Sequence, residues 1–308
     1  MRVLHSIEEL AEVSGPLSVA IGVFDGVHRG HQALIQRAVA EAEKAGGSAV
    51  VLTFDPHPLR VLRPESAPRL LTSTPHKEQL IAGLGCPNLL LLTFDAEFAA
   101  QAPGVFIESL AQHARPLHGL CVGHQWAFGR GRTGHVGLLR QLGARLGFET
   151  VEIDPVMFGG ETISSTRIRG CIEAGDFSAA RELLGRDYTI LGTVQHGAGL
   201  GGKIGFPTAN LAAHNEQFPP DGVYAVRVRL RGDWLAGAAN IGTRPTVTRS
   251  PERVLEIHLF DFAADCYGEE VEVRFEKFLR GEQKFASVDT LKAQIQKDVE
   301  AARRLTAD

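Results

Sequence analysis

The sequence predicts an α/β protein in two parts: a doubly wound parallel sheet, followed by a small antiparallel β-barrel with a C-terminal helix. Two observations carry this reading. From Leu17 to about Leu184, short apolar runs alternate with stretches of helical periodicity, the pattern of a parallel sheet with crossover helices. After Arg186 the pattern changes to alternation with a period of two, broken by glycine-rich turns, which suits a small barrel better than another layered sheet. The change occurs at about residue 185 with no long linker, giving expected domains 1–185 and 186–308.

In order, residues 19–24 read as a buried strand, and 31–45 as a helix with Leu34, Ile35, Ala38, Val39 and Ala42 on one face. Gly46-Gly47 stops that helix, because glycine readily takes the left-handed conformation beyond a helix end. Residues 49–54, 89–94 and 120–123 read as further strands, with helical spacing at 77–84, 105–112 and 136–146. Residues 63–68 read as an exposed loop. In the second half, 188–194, 223–230, 234–241, 254–260 and 271–275 alternate as strands. Ser287 is placed to cap a final helix with Val288, Leu291, Ile295 and Val299 on one face.

With 308 residues, 44% hydrophobic and 22% charged, the chain is long enough for two globular cores. A formal charge of −4 gives no general attraction to nucleic acid or anionic membrane, so an anionic substrate must be held by local basic groups. Cys86, Cys121, Cys171 and Cys266 are far apart and form no CxxC pair, which argues for reduced thiols and against a zinc framework. The N-terminus lacks the apolar run of a signal peptide, and no stretch has membrane-spanning length; a cytoplasmic location is expected.

Gly22-Val23-Phe24-Asp25-Gly26-Val27-His28-Arg29-Gly30-His31 joins the first strand to the first helix. A helix N-terminus attracts phosphate through its N–H groups and dipole, and Gly26 and Gly30 permit close backbone approach. His28 and His31 add imidazole donors for phosphoryl oxygens as charge develops. Asp55 and His57, in Thr53-Phe54-Asp55-Pro56-His57-Pro58, fall at the same carboxyl edge. Ile163-Ser164-Ser165-Thr166-Arg167-Ile168-Arg169 places three hydroxyls and two guanidinium groups at another helix start, either as caps or, with Arg167, as a clamp on a triphosphate.

In the second half, Gly197-Ala198-Gly199-Leu200-Gly201-Gly202-Lys203-Ile204 nearly spells a Walker A loop. Ile204 stands where Ser or Thr must hold magnesium, and Gly205-Phe206-Pro207 follows where a helix should begin, so the P-loop reading fails. Glu256 alternates with Leu255 and Ile257, which points its side chain away from theirs.

The ordered set GVFDGVHRGH, TFDPHP and ISSTRIR resembles the HxGH nucleotidyltransferase superfamily. Together with GFPTANL, PDGVY, NIGTRPT, LEIHLFDF and FLRGEQKF, it resembles the bacterial bifunctional riboflavin kinase/FMN adenylyltransferase family over nearly the whole chain. The resemblance implies a Rossmann-like nucleotidyltransferase domain that joins FMN to ATP, giving FAD and pyrophosphate, and a kinase domain that phosphorylates riboflavin. For the first site it implies ATP or phosphate contacts from Gly22, Phe24, Asp25, Gly26, His28, Gly30, His31, Ser164, Ser165, Thr166 and Arg167. Asp55, His57, Gln125 and Phe128 are implied as a second segment near the flavin.

For the kinase the resemblance implies ATP contacts from Gly197, Gly201, Lys203, Gly205, Pro207, Thr208 and Asn210, with Thr208 and Asn210 as oxygen ligands to Mg2+. The ribityl hydroxyl must lose a proton as it attacks, and Glu256 matches the family's general base. Arg280 is a candidate for holding substrate or the strand edge. Gln125 stands where the family has Asp or Asn, and Gly202 where it commonly has Arg. Trp126 is read either as a stacking platform or as wall packing. Expected partners are riboflavin, FMN and ATP, with no nucleic acid or membrane, and the chain is expected to be a monomer or weak homo-oligomer. The alternatives are a kinase with an impaired adenylyltransferase domain, a flavin-binding regulator, or a transferase acting on another small phosphate ester.

Overall fold

The apolar runs of the first half pair as parallel strands. In a computed structural model, which describes residues 1–196, 200–244 and 252–306, the strand order is Arg2–Leu4, Asn88–Thr93, Ser48–Asp55, Leu17–Ile21, Leu117–Gly123 and Glu149–Ile153. All five neighbouring pairs are parallel. The chain steps outward from Leu17–Ile21 in one direction and then returns to its other side, so the topological switch point lies between Leu17–Ile21 and Leu117–Gly123. Open sheets of this kind bind ligands at the carboxyl edge beside such a point.

Alternation along the strands divides the core. Val19 and Ile21 join Phe106, Ile107, Leu110 and Leu139 on one face. Ala20 and Val51 join Leu34, Ile35, Ala38 and Ala42 on the other. The latter group is the apolar stripe read in the sequence, carried by the helix Arg29–Lys44. The first strand stops earlier than expected, at Ile21. Phe24 lies in the following loop with φ 53°, and its ring joins the core on the face that holds Ala20 and Val51. The strands Arg2–Leu4 and Glu149–Ile153 were not anticipated.

The second half forms a closed barrel in the order Thr189–Gln195, Ala209–Ala213, Glu252–Leu259, Asp233–Arg244, Gly222–Leu230 and Glu270–Arg280. Ala209–Ala213 completes the closure and was not read as a strand. The final helix, Val288–Leu305, starts at a capping box: Ser287 Oγ accepts from Thr290 N, and Thr290 Oγ1 accepts from Ser287 N, each at 3.2 Å. Its buried face holds Asp298, Val299 and Ala302. Val288, expected on that face, is 58% exposed, because it sits at the helix start before the stripe turns inward.

The chain divides into two compact units, Met1–Arg69 with Thr74–Ser165, and Leu70–Ser73 with the residues from Thr166 onward. The short segment Leu70–Ser73 is fastened within the second unit. Glu216 and Gln217 donate their backbone N–H groups to Leu70 O, both at 3.0 Å. The buried Asn215 amide donates to Leu71 O (2.6 Å) and Thr189 O (3.1 Å), and accepts from Leu191 N (3.1 Å). All four cysteines are free thiols; burial pushes Cys121 up to about 12, which keeps it unreactive. Among the described residues, no helix is long and apolar enough to cross a membrane.

Asn215→Ala would remove three buried hydrogen bonds to the backbone. We expect a loss of about 2–4 kcal/mol in the second unit, read as a lower urea midpoint by far-ultraviolet circular dichroism; an unchanged midpoint would refute this role.

Candidate active sites

The loop 22–31 follows the central strand at the switch point. Gly26 adopts φ 83°, a conformation glycine takes without steric penalty, but Phe24 (φ 53°) and Val27 (φ 39°) are held there against their preference. Such residues cost about 1–3 kcal/mol each and persist only where the surroundings over-determine them. Here three side chains fix three loop carbonyls. Thr53 Oγ1 donates to Val23 O (3.0 Å), Ser165 Oγ to Asp25 O (2.9 Å) and Gln32 Nε2 to Val27 O (2.8 Å).

His28 is the N-cap of the helix Arg29–Lys44, and its Nδ1 accepts from His31 N at 3.3 Å. An imidazole that accepts at Nδ1 carries its proton at Nε2, so the ring's other nitrogen is a donor. The His28 and His31 rings stack at 3.6 Å with an interplanar angle of 17°. His31 also meets the Phe24 ring edge-on at 5.3 Å. The sequence-predicted histidine pair is therefore assembled as one unit at the helix start.

Asp55 ends the neighbouring strand, and His57 caps the helix Pro58–Leu62 by accepting from Leu59 N at 3.1 Å. Gln125 is exposed. Phe128 is buried and stacks on Trp126 at 4.1 Å, so Trp126 packs against the wall of its own domain. Ser164 and Ser165 fall in the first compact unit, Thr166 and Arg167 in the second. Ser165 is engaged with the loop carbonyl, a role that the sequence pattern did not separate from phosphate binding. Lys77, read only as part of a helix, is buried with its Nζ 3.5 Å from Thr53 Oγ1.

In the second unit, barrel register builds the other site. Asn210 and Asn240 both stand opposite Glu256, on the two strands flanking it. Directly opposed residues of antiparallel strands share a face, so the three form one polar row. Leu255 and Ile257 are buried, as the alternation required. Glu256, Asn240 and Thr208 line a cavity of about 340 Å³ with Phe206 and Phe285. That volume falls within the roughly 300–1,000 Å³ of small-molecule pockets. Gly201 is needed close by, since a Cβ there would overlap Phe206 O and lie 3.1 Å from Thr208 Oγ1.

His258 Nδ1 donates to Pro207 O at 2.8 Å and fixes the turn that precedes Thr208. Arg280 directs its guanidinium at Asp298, with Nη2–Oδ2 at 2.7 Å and Nε–Oδ2 at 3.0 Å, and Nη1 at Gly281 O (2.9 Å). The ion pair joins the last barrel strand to the C-terminal helix. Asp298 was not singled out in the sequence, where one acid on an amphipathic helix reads as solvated. Gly205 and Pro207 lie in the same turn, whereas Gly197 and the Lys203 side chain, like Pro245 and Thr246 of the NIGTRPT segment, lie outside the described residues.

A histidine-bearing loop on a parallel sheet, joined to a barrel with a carboxylate in its cavity, defines a two-site transferase. The FAD synthetase family model matches residues 11–167, and the riboflavin kinase family model matches residues 184–306. The bifunctional riboflavin kinase/FMN adenylyltransferase of Escherichia coli K12 is 40% identical over 305 residues, covering 98% of this chain and 97% of its own. Its counterpart in Pseudomonas fluorescens is 36% identical over 307 residues, covering 100% and 98%. A solved structure described as a macrolide-efflux protein from Streptococcus pneumoniae aligns with TM-score 0.83 and 30% identity, covering 98% of this chain and 99% of its own. The chain belongs to the bifunctional riboflavin kinase/FMN adenylyltransferase family.

Arg280→Met would leave the buried Asp298 carboxylate unpaired. A fall of about 3 kcal/mol in stability is expected, measured by urea unfolding. A raised KM for the barrel's substrate with an unchanged midpoint would instead make Arg280 a substrate contact.

Proposed function

We propose that this chain phosphorylates riboflavin to FMN and then transfers AMP from a second ATP to FMN, giving FAD and pyrophosphate. The observation that carries the reading is Glu256 in the barrel cavity, with Asn210 and Asn240 opposite it on the two flanking strands, on a chain whose first half separately matches the FAD synthetase model. The family match over both halves disfavours a lone kinase, a flavin-binding regulator or a transferase for another phosphate ester. The reading assigns adenylyl transfer to residues 1–185 and the kinase to 186–308, in a cytoplasmic enzyme.

In the kinase step the terminal ribityl hydroxyl attacks the γ-phosphorus of ATP and ADP departs. An alcohol must shed its proton during attack, and the Glu256 carboxylate accepts it. General bases of this kind contribute about 10²- to 10⁴-fold. The donors around Glu256 are the Thr208 hydroxyl and the Asn210 amide oxygen, hard oxygens that fit Mg2+. When bound there, Mg2+ would supply neutralisation of the ATP phosphate charge.

In the adenylyl step an FMN phosphate oxygen attacks the α-phosphorus of ATP, and the α–β bond breaks to release pyrophosphate. The attacking phosphate is already anionic at neutral pH, so positioning and charge neutralisation suffice. His28 donates from Nε2 to a phosphoryl oxygen as charge builds. The capped Nδ1 keeps the ring in that tautomer. Gln125 retains an amide at the position where the family carries Asp or Asn.

The test is incubation with riboflavin and Mg-ATP followed by chromatography of the flavins. FMN and FAD both form if the reading holds; FMN alone, or neither, contradicts it. Glu256→Gln is expected to lower FMN formation by about 10²-fold or more while FAD synthesis from added FMN persists. His28→Ala is expected to do the reverse, by about 10²-fold. Equal losses in both steps from either variant would refute the separate assignments.

A further inference from the structure

An anion-binding loop that contains a buried carboxylate poses an electrostatic problem. Asp25 is only 3% exposed, in the middle of the loop 22–31. Asp55 ends the adjacent strand Ser48–Asp55. Unbalanced, these two charges would repel the phosphates that the loop is proposed to bind. Lys77, on the helix Thr74–Ala82, is a cation that interacts with both.

Lys77 is 6% exposed, far from the solvated position a lysine ordinarily takes. Its Nζ lies 3.5 Å from Thr53 Oγ1, and the same hydroxyl donates to Val23 O at 3.0 Å. A relay thus runs from the buried ammonium through the Thr53 hydroxyl to the Val23 carbonyl near the start of the loop. Val23 immediately precedes Phe24, whose left-handed backbone needs an outside constraint. Burial lowers the Lys77 pKa, and the charges of Asp25 and Asp55 oppose that shift.

We propose that Lys77 is a positioning residue for adenylyl transfer, holding the loop against the strand Ser48–Asp55 through Thr53 and balancing the charge of Asp25 and Asp55. It touches the loop's support and leaves the reacting atoms to others. The inference rests on the adenylyl-transfer function proposed above for this unit.

The experiment compares the wild type with Lys77→Met, Thr53→Val and the double variant, measuring FAD formation from FMN and Mg-ATP. Riboflavin phosphorylation by the same preparations reports on the folding of the rest of the chain. Lys77→Met is expected to lower kcat for FAD formation by about 10²-fold, the scale of a misplaced reacting group. Its riboflavin phosphorylation should stay within about twofold of the wild type, as for a distant independent site. Because Thr53 and Lys77 lie on one path, the double variant should be no worse than Lys77→Met alone, whereas independent structural roles would multiply.

FAD formation by Lys77→Met within about threefold of the wild type, or multiplicative losses in the cycle, would overturn the proposal. If Lys77→Met loses both activities, Thr53→Val decides. A selective fall in FAD formation supports the relay, and a rate within about threefold of the wild type overturns it. No FAD formation by the wild type would sink the adenylyl-transfer reading itself, an outcome distinct from any of these.

Discussion

A backbone segment can offer its amide hydrogens to an anion only if its carbonyl oxygens are turned away and satisfied elsewhere. The loop 22–31 meets this constraint through Thr53, Ser165 and Gln32, each of which binds one carbonyl. The backbone strain at Phe24 and Val27 is tolerable because these tethers, and the burial of the Phe24 ring, leave no relaxed alternative. The paired histidines depend on the same arrangement, since His28 caps the helix into which the loop feeds.

The barrel solves a different problem by a different device. A carboxylate proposed to deprotonate an alcohol must be held at a defined position, and strand register holds Glu256. Glu256 is flanked by Asn210 on one side and Asn240 on the other, while its sequence neighbours anchor the same strand in the core. The Arg280–Asp298 pair then fastens the C-terminal helix beside the cavity that Glu256, Asn240, Arg280 and Asp298 line. The proposed phosphate site is thus built from a tethered loop, whereas the proposed proton-accepting site is built from strands in register. Each matches what its chemistry has to position.

Much of this was legible in the sequence because periodicity survives in elements buried on one or both faces. The apolar run at Val19-Ala20-Ile21 and the alternation at 223–230 became a central parallel strand and a barrel strand. Glu149–Ile153 was not legible, since an edge strand reading Glu-Thr-Val-Glu-Ile shows no apolar run and is half exposed. Ala209–Ala213 carries one large apolar side chain, Leu211, among small and polar ones, too little for an alternation signal, so its pairing follows only from barrel closure. The motif order singled out His28, His31 and Glu256 as candidates. Motif reading did not distinguish Ser165 the tether from Ser165 the phosphate ligand, because both uses put a hydroxyl at a helix start. Lys77 was invisible for a related reason. A lysine on a short helix is normally solvated, and only the tertiary structure buries this one beside Asp25 and Asp55.

The central claim is that one chain carries two independent nucleotide sites. Calorimetric titration with a slowly hydrolysed ATP analogue, in the presence of Mg2+, tests it most directly. The account predicts two analogue molecules bound per chain, one of them lost on disabling the loop histidines and the other retained. Saturation at a single molecule per chain, or loss of all binding from one loop substitution, would contradict it.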